Sequence, residues 1–196
     1  MCKLYFRYGV MGSSKTANLL MTKHNYEQKG FNVIVLKSRI DIRDMREATF
    51  LIRSRIGLSC DCEVFDRQMN IIDVVNNLLA KNEYNSDKTI IMVDEAQFCT
   101  EEQINQFKAL TNKYNVLCYG LLTDFTSHLF EGSKRLIELA DSTQELKTVC
   151  SCGKKANINA RINNGKVVTE GDQIQIGGDE SYTSMCYDCW EQSKEV

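Results

Sequence analysis

Gly9-Val10-Met11-Gly12-Ser13-Ser14-Lys15-Thr16 decides the fold. It follows the apolar Leu4-Tyr5-Phe6 and leads into helical periodicity from Thr16 to Lys29, which Gly30 stops. A strand, a Gly/Ser-rich turn ending in Lys-Thr and a helix make a phosphate-binding loop. Small residues let backbone N–H groups approach a triphosphate, and the helix N-terminus adds its positive end. Further along stands Ile90-Ile91-Met92-Val93-Asp94-Glu95, an apolar strand that ends in two carboxylates. In a phosphoryl-transfer site, Lys15 would lie along the β- and γ-phosphates. Thr16 and Asp94 would hold Mg2+, and Glu95 would take a proton from the attacking hydroxyl. Either segment alone has a plainer reading: a turn that caps a helix, and an acidic strand end that caps the helix starting near Thr100. Their co-occurrence favours phosphoryl transfer from a nucleotide. One position departs from the usual loop: Ser14 stands where Gly directly precedes the Lys, and Gly reaches backbone conformations that strain other residues.

The elements around these segments alternate. Lys3 to Tyr8, Phe31 to Leu36, Thr89 to Val93 and Asn115 to Tyr119 read as strands, most of them continuously apolar, as in a parallel sheet covered on both faces. Gln68 to Asn82, Glu101 to Lys113 (with Thr100 as N-cap) and Ser133 to Ala140 read as helices. This predicts an α/β fold, a P-loop NTPase-type parallel sheet flanked by helices. At 196 residues the chain suits one main domain with a small appendage. The net charge of −2 and pI near 5.8 offer no basic face, so a nucleic-acid polymer is not an expected partner. No apolar run reaches the ~20 residues of a membrane span and no signal-peptide core opens the sequence, so a cytoplasmic protein is expected.

After Val149 the composition turns to Gly, Asn, Asp and Cys, which predicts a P-loop α/β domain over 1–149 and a second lobe over 150–196. Asn163-Asn164-Gly165 reads as a hairpin turn between Ala156-to-Ile162 and Lys166-to-Thr169. Cys150-Ser151-Cys152 and Cys186-Tyr187-Asp188-Cys189 would give Zn2+ a closed four-thiolate shell, hence a structural zinc-ribbon site. The first pair is one residue tighter than usual, and unmetallated thiols are the alternative. Of nine cysteines, Cys2, Cys60, Cys62, Cys99 and Cys118 read as ordinary residues, with Cys60-Asp61-Cys62 expected in an exposed loop.

These pieces, in order and spacing, resemble the zinc-ribbon (type II) thymidine kinases over about Lys3 to Cys189. The resemblance is carried by the phosphate loop, Ser38-Arg39-Ile40-Asp41-Ile42-Arg43, Ser54-Arg55-Ile56-Gly57-Leu58-Ser59, Val93-Asp94-Glu95-Ala96-Gln97-Phe98, Tyr119-Gly120-Leu121-Leu122-Thr123-Asp124-Phe125, Leu129-Phe130, Glu145-Leu146-Lys147-Thr148-Val149-Cys150 and Ile176-Gly177-Gly178-Asp179-Glu180-Ser181-Tyr182. It implies transfer of the ATP γ-phosphate to the 5′-hydroxyl of thymidine or deoxyuridine, with Glu95 as base. Gly9 to Thr16 match the ATP site, with Asp94, Glu95, Ala96 and Gln97 beside it. Phe98, Phe125 and Phe130 match aromatics around the nucleoside. Gly171 to Met185, with Ile176, Gly177, Gly178 and Tyr182, match a loop that closes over the base. The family implies a homotetramer inhibited by the end-product triphosphate, dTTP. Without the flanking motifs, the three phenylalanines would read as core aromatics, Asp41 and Arg43 as a surface charge pair, and His24 and His128 as solvated. The competing functions are another P-loop nucleoside or nucleotide kinase, a DNA-associated ATPase whose zinc ribbon is the binding module, and a degenerate kinase that binds nucleoside without turnover.

Overall fold

In a computed structural model of the chain, the described residues are 2–39, 45–46, 49–163, 165–173 and 181–194. Asp41 and Arg43, the turn residue Asn164, and Ile176, Gly177 and Gly178 of the base-covering stretch lie outside them.

Parallel strands β1 (Leu4–Tyr8), β2 (Asn32–Ser38), β5 (Ser59–Phe65), β6 (Thr89–Asp94), β7 (Asn115–Gly120) and β8 (Ser142–Glu145) form the body of the main sheet. Antiparallel β3 (Met45–Arg46) and β4 (Thr49–Arg53) extend it, in the order β3-β4-β5-β2-β6-β7-β1-β8. Strand alternation splits the core in two. Ile34, Leu36, Ile91, Val93, Val116 and Cys118 face α2 (Ile71–Lys81), α3 (Glu101–Leu110) and α4 (Glu131–Leu139). Val33, Val35, Ile90, Met92 and Leu117 face Leu19 and Leu20 of α1 (Lys15–Glu27) and Ile52 of β4. The near-continuous apolar runs in the sequence are explained by this two-sided burial. Thr100 does cap α3, in a capping box with Gln103. No helix among the described residues is long and apolar enough to cross a membrane.

One local expectation is corrected. Cys60-Asp61-Cys62 is not an exposed loop but part of β5, paired with β4 through Ile52↔Cys60 and Phe50↔Cys62. Residues two apart on a strand share a face, so both thiols turn to the α1 side of the core while Asp61 points away. Burial pushes the Cys60 thiol up to about 11 and the Cys62 thiol up to about 12, which leaves little thiolate for redox chemistry.

The C-terminal part is built from short strands. β9 (Thr148–Val149) pairs with β10 (Lys155–Ala156) around the first cysteine pair. β12 (Lys166–Val168), β11 (Ile158–Asn163) and β13 (Tyr182–Met185) form an antiparallel sheet, and α5 (Tyr187–Gln192) follows the second pair's first cysteine. Two small apolar clusters hold this part together, one around Cys150, Ala156 and Cys186 and one around Ile158, Ala160 and Trp190.

A close approach fixes α4 under the end of β6. A Cβ on Gly132 would stand 2.6 Å from the Ala96 carbonyl oxygen and 2.8 Å from that of Cys99. Helix propensity alone predicts that Gly132→Ala stabilises the protein. The contact reverses the sign, and chemical denaturation should show a loss of about 2 kcal/mol. An unchanged or raised midpoint would refute this packing account.

Candidate active site

The parallel register β2-β6-β7-β1 brings the C-terminal ends of these strands to one edge of the sheet, where open α/β folds bind ligands. The loop of residues 9–14 leaves β1 at that edge. Its Gly9 N–H donates to the Gly120 carbonyl at the end of β7, 3.3 Å away. Gly9 has no room for a side chain: a Cβ would sit 2.3 Å from the Leu146 carbonyl oxygen.

The structure brings Lys15, Thr16 and Asp94 together across β7. Thr16 Oγ1 donates to Asp94 Oδ2 at 3.2 Å. Lys15 Nζ curls into the loop and donates to the Gly9 and Val10 carbonyls at 3.1 and 2.9 Å. Burial lowers the Lys15 pKa, against the opposing pull of Glu95 and Asp94. Asp94 is 3% exposed. Burial, then the neighbouring Glu95 charge, raises its pKa to about 7, while Lys37 and Lys15 act the other way. A buried carboxylate beside a hydroxyl is a donor pair that a divalent cation would complete.

Glu95 directly follows and adopts a left-handed backbone, φ 52°. This rarely populated conformation for a non-glycine residue is typical of functional sites. Its carboxylate accepts from Gln97 Nε2 at 2.5 Å, and Gln97 Oε1 in turn accepts the Leu121 N–H at 3.0 Å. Gln97 is buried and so orients Glu95 from behind, while Ala96 is enclosed in the core. Ser14 also proves to be left-handed, φ 60°, next to Gly12 at 73°. The residue expected to be Gly does occupy a conformation that favours Gly.

The aromatic residues divide into two groups. Phe98 and Phe130 meet edge to face, ring centres 5.8 Å apart. Phe125 is buried, with the Arg161 guanidinium 3.7 Å over its ring. Sequence reasoning missed Arg161. It is 5% exposed, donates from Nε to Tyr182 Oη at 2.8 Å and from its fork to the Asp172 carbonyl at 2.9 Å. One planar cation thus ties Phe125 to Tyr182 and to the start of the base-covering stretch. Only its lone charge within a β-rich segment could have flagged it. Asp124, also missed, accepts from Gln173 Nε2 at 2.8 Å and from the Thr126 and His128 backbone. Burial would raise its pKa, but these hydrogen bonds outweigh it and hold the carboxyl below its usual value.

The four cysteine Sγ atoms of Cys150, Cys152, Cys186 and Cys189 lie within 4.8 Å of one another, with Cys152 and Cys186 3.6 Å apart. Zn–S bonds of about 2.3 Å in a tetrahedron place sulfurs about 3.8 Å apart, so this donor set suits Zn2+. The short Cys-Ser-Cys spacing does not prevent convergence.

A family model described as "Thymidine kinase" matches residues 2–190. A thymidine kinase of Haemophilus influenzae is 43% identical over 189 residues, 95% of this chain and 94% of that one. One of Lactococcus lactis is 40% identical over 189 residues, 95% of each chain. One of Enterobacteria phage T4 is 42% identical over 195 residues, 98% of this chain and 97% of that one.

Two outcomes follow from the site. Ser14→Gly removes a left-handed side chain and should raise stability by up to about 1 kcal/mol while nucleotide affinity holds or improves. A large loss of activity in that variant would contradict the assigned backbone strain. Metal analysis of the purified protein should find roughly one Zn2+ per chain, lost in Cys152→Ser and Cys186→Ser together with lobe stability. Four freely titrating thiols in the folded wild-type protein, without metal, would rule that site out.

Proposed function

The chain belongs to the thymidine kinase family, and from that membership we propose that its site moves the ATP γ-phosphate to the 5′-hydroxyl of thymidine or deoxyuridine. The observation that carries this reading is the convergence of Lys15, Thr16, Asp94 and Glu95 at one sheet edge. Lys15 leaves the loop carbonyls for the phosphates, contributing positive charge where charge develops. Mg2+ bound with ATP, held by Thr16 and Asp94, would neutralise the β- and γ-oxygens. Glu95, fixed by Gln97, accepts the proton of the 5′-hydroxyl as its oxygen bonds to the γ-phosphorus. The bond from that phosphorus to the β–γ bridging oxygen breaks, and ADP leaves.

We assign the nucleoside to the wall formed by Phe98, Phe125 and Phe130, since a flat pyrimidine suits aromatic surfaces. Tyr182 and the stretch with Ile176, Gly177 and Gly178 would read the base edge through backbone groups, which rejects bases lacking the matching donors and acceptors. Zn2+ on Cys150, Cys152, Cys186 and Cys189 is a structural staple in a lobe with little apolar core. The division into a kinase domain at 1–149 and a lobe at 150–196, a homotetramer, inhibition by dTTP and a cytoplasmic location complete the proposal on family grounds. Membership of a family of enzymes favours catalysis over the non-catalytic and DNA-associated readings.

Glu95→Gln keeps the size and a hydrogen-bonding side chain but removes the base. Both substrates should bind with near wild-type affinity, while kcat falls about 10²- to 10⁴-fold. Near-normal turnover would remove Glu95 from this role.

A further inference from the structure

The C-terminal lobe grips the phosphate loop at one residue, Met11. Asn159 on β11 and Ser184 on β13 are direct cross-strand partners. Asn159 Oδ1 accepts the Met11 N–H at 2.8 Å, and Ser184 Oγ donates to the Met11 carbonyl. Both backbone polar groups of Met11, which belong to two successive peptides, are therefore held by adjacent side chains of the C-terminal sheet. Asn159 is 2% exposed, and its Nδ2 donates to the Thr123 carbonyl at 2.8 Å, so the clamp is itself anchored. Alongside, Val10 packs against the cluster of Cys150, Ala156 and Cys186.

We propose that Asn159 and Ser184 are positioning residues for phosphoryl transfer, setting the conformation of the phosphate loop through the Met11 backbone. The proposal rests on the reading that Gly9 to Thr16 cradle ATP. The loop carries two left-handed residues, Gly12 and the non-glycine Ser14. Such a backbone persists only where its surroundings over-determine it. An anchored residue three positions before Ser14 supplies that constraint and reduces the ordering that nucleotide binding must impose. The clamping strand β13 continues directly into Cys186, so the element that holds the loop also carries one of the clustered thiols.

The test uses the full-length, zinc-loaded chain as Asn159→Ala, Ser184→Ala, the double variant and Ser184→Thr. Two quantities are read: backbone hydrogen exchange of residues 9–16 without ligand, and calorimetric affinity for a non-hydrolysable ATP analogue. Losing one buried hydrogen-bond partner should accelerate exchange in the loop and weaken the analogue about tenfold in Asn159→Ala. The double variant should lose less than the sum of the singles, because both hold the backbone of one residue. Ser184→Thr keeps the hydroxyl and should behave like wild type. Acceleration confined to the loop, with zinc content and denaturation midpoint retained, separates positioning from general loosening. Ser184 is half-buried, so its Ala variant decides alone if Asn159→Ala fails to fold. Unchanged loop exchange and affinity in Ser184→Ala would overturn the clamp. Failure of the wild-type protein to bind the analogue would instead overturn the ATP reading, while the exchange data would still judge the clamp.

Discussion

The contact between the first turn of α1 and the buried end of β6 is the constraint on which the rest depends. Asp94 is enclosed, charged neighbours surround it, and its own partner is the Thr16 hydroxyl from the opposite side of β7. A carboxylate in that position is costly without compensation. Lys37 and Lys15 lie close enough to offset part of that cost. The parallel order β6-β7-β1 is what makes the contact possible, since it sets two sequence-distant strand ends one strand apart. The glycines at 9, 120 and 132 then read as consequences. Each sits where backbone or a buried side chain comes too near for a Cβ, and together they draw the loop, β7 and α4 in around the carboxylates.

Around that centre the molecule separates rigid chemistry from recognition. Lys15, Thr16, Asp94 and Glu95 stand at the ends of core strands or the start of a core helix, and Gln97 locks Glu95 from a buried position. The residues around Phe125 are held by longer bridges. Arg161 alone spans Phe125, Tyr182 and the Asp172 backbone. Because β11 carries both Asn159 and Arg161, on the same face of the strand, a single strand of the C-terminal lobe touches the phosphate loop and the aromatic wall. The phosphate loop and the residues around Phe125 are thereby linked through the lobe.

Much of this was legible in the sequence, for physical reasons that differ by region. The phosphate loop, the acidic strand end and the four cysteines are local patterns whose chemistry demands particular residues at particular spacings. The core strands announced themselves because burial on both faces leaves no place for polar residues. The hairpin at β4 and β5 was not legible: only one of its faces is well buried, so Ser59-Cys60-Asp61-Cys62 resembles a loop in composition. Arg161, Asn159 and Ser184 escaped because their roles arise from partners 11 to 173 residues distant. No local pattern marks an Asn that holds the backbone of a distant loop. Ser14 was visible as a departure, but its left-handed backbone required the structure.

The central claim is that the carboxylates and loop at the sheet edge serve phosphoryl transfer to a pyrimidine deoxynucleoside. The most direct measurement is ATP-dependent phosphorylation by the purified, zinc-replete protein, with thymidine, deoxyuridine, deoxycytidine and deoxyguanosine compared side by side. The account predicts 5′-monophosphate from thymidine and deoxyuridine alone. Equal or preferred turnover of deoxycytidine or deoxyguanosine, or thymidine binding with no phosphate transferred, would contradict it.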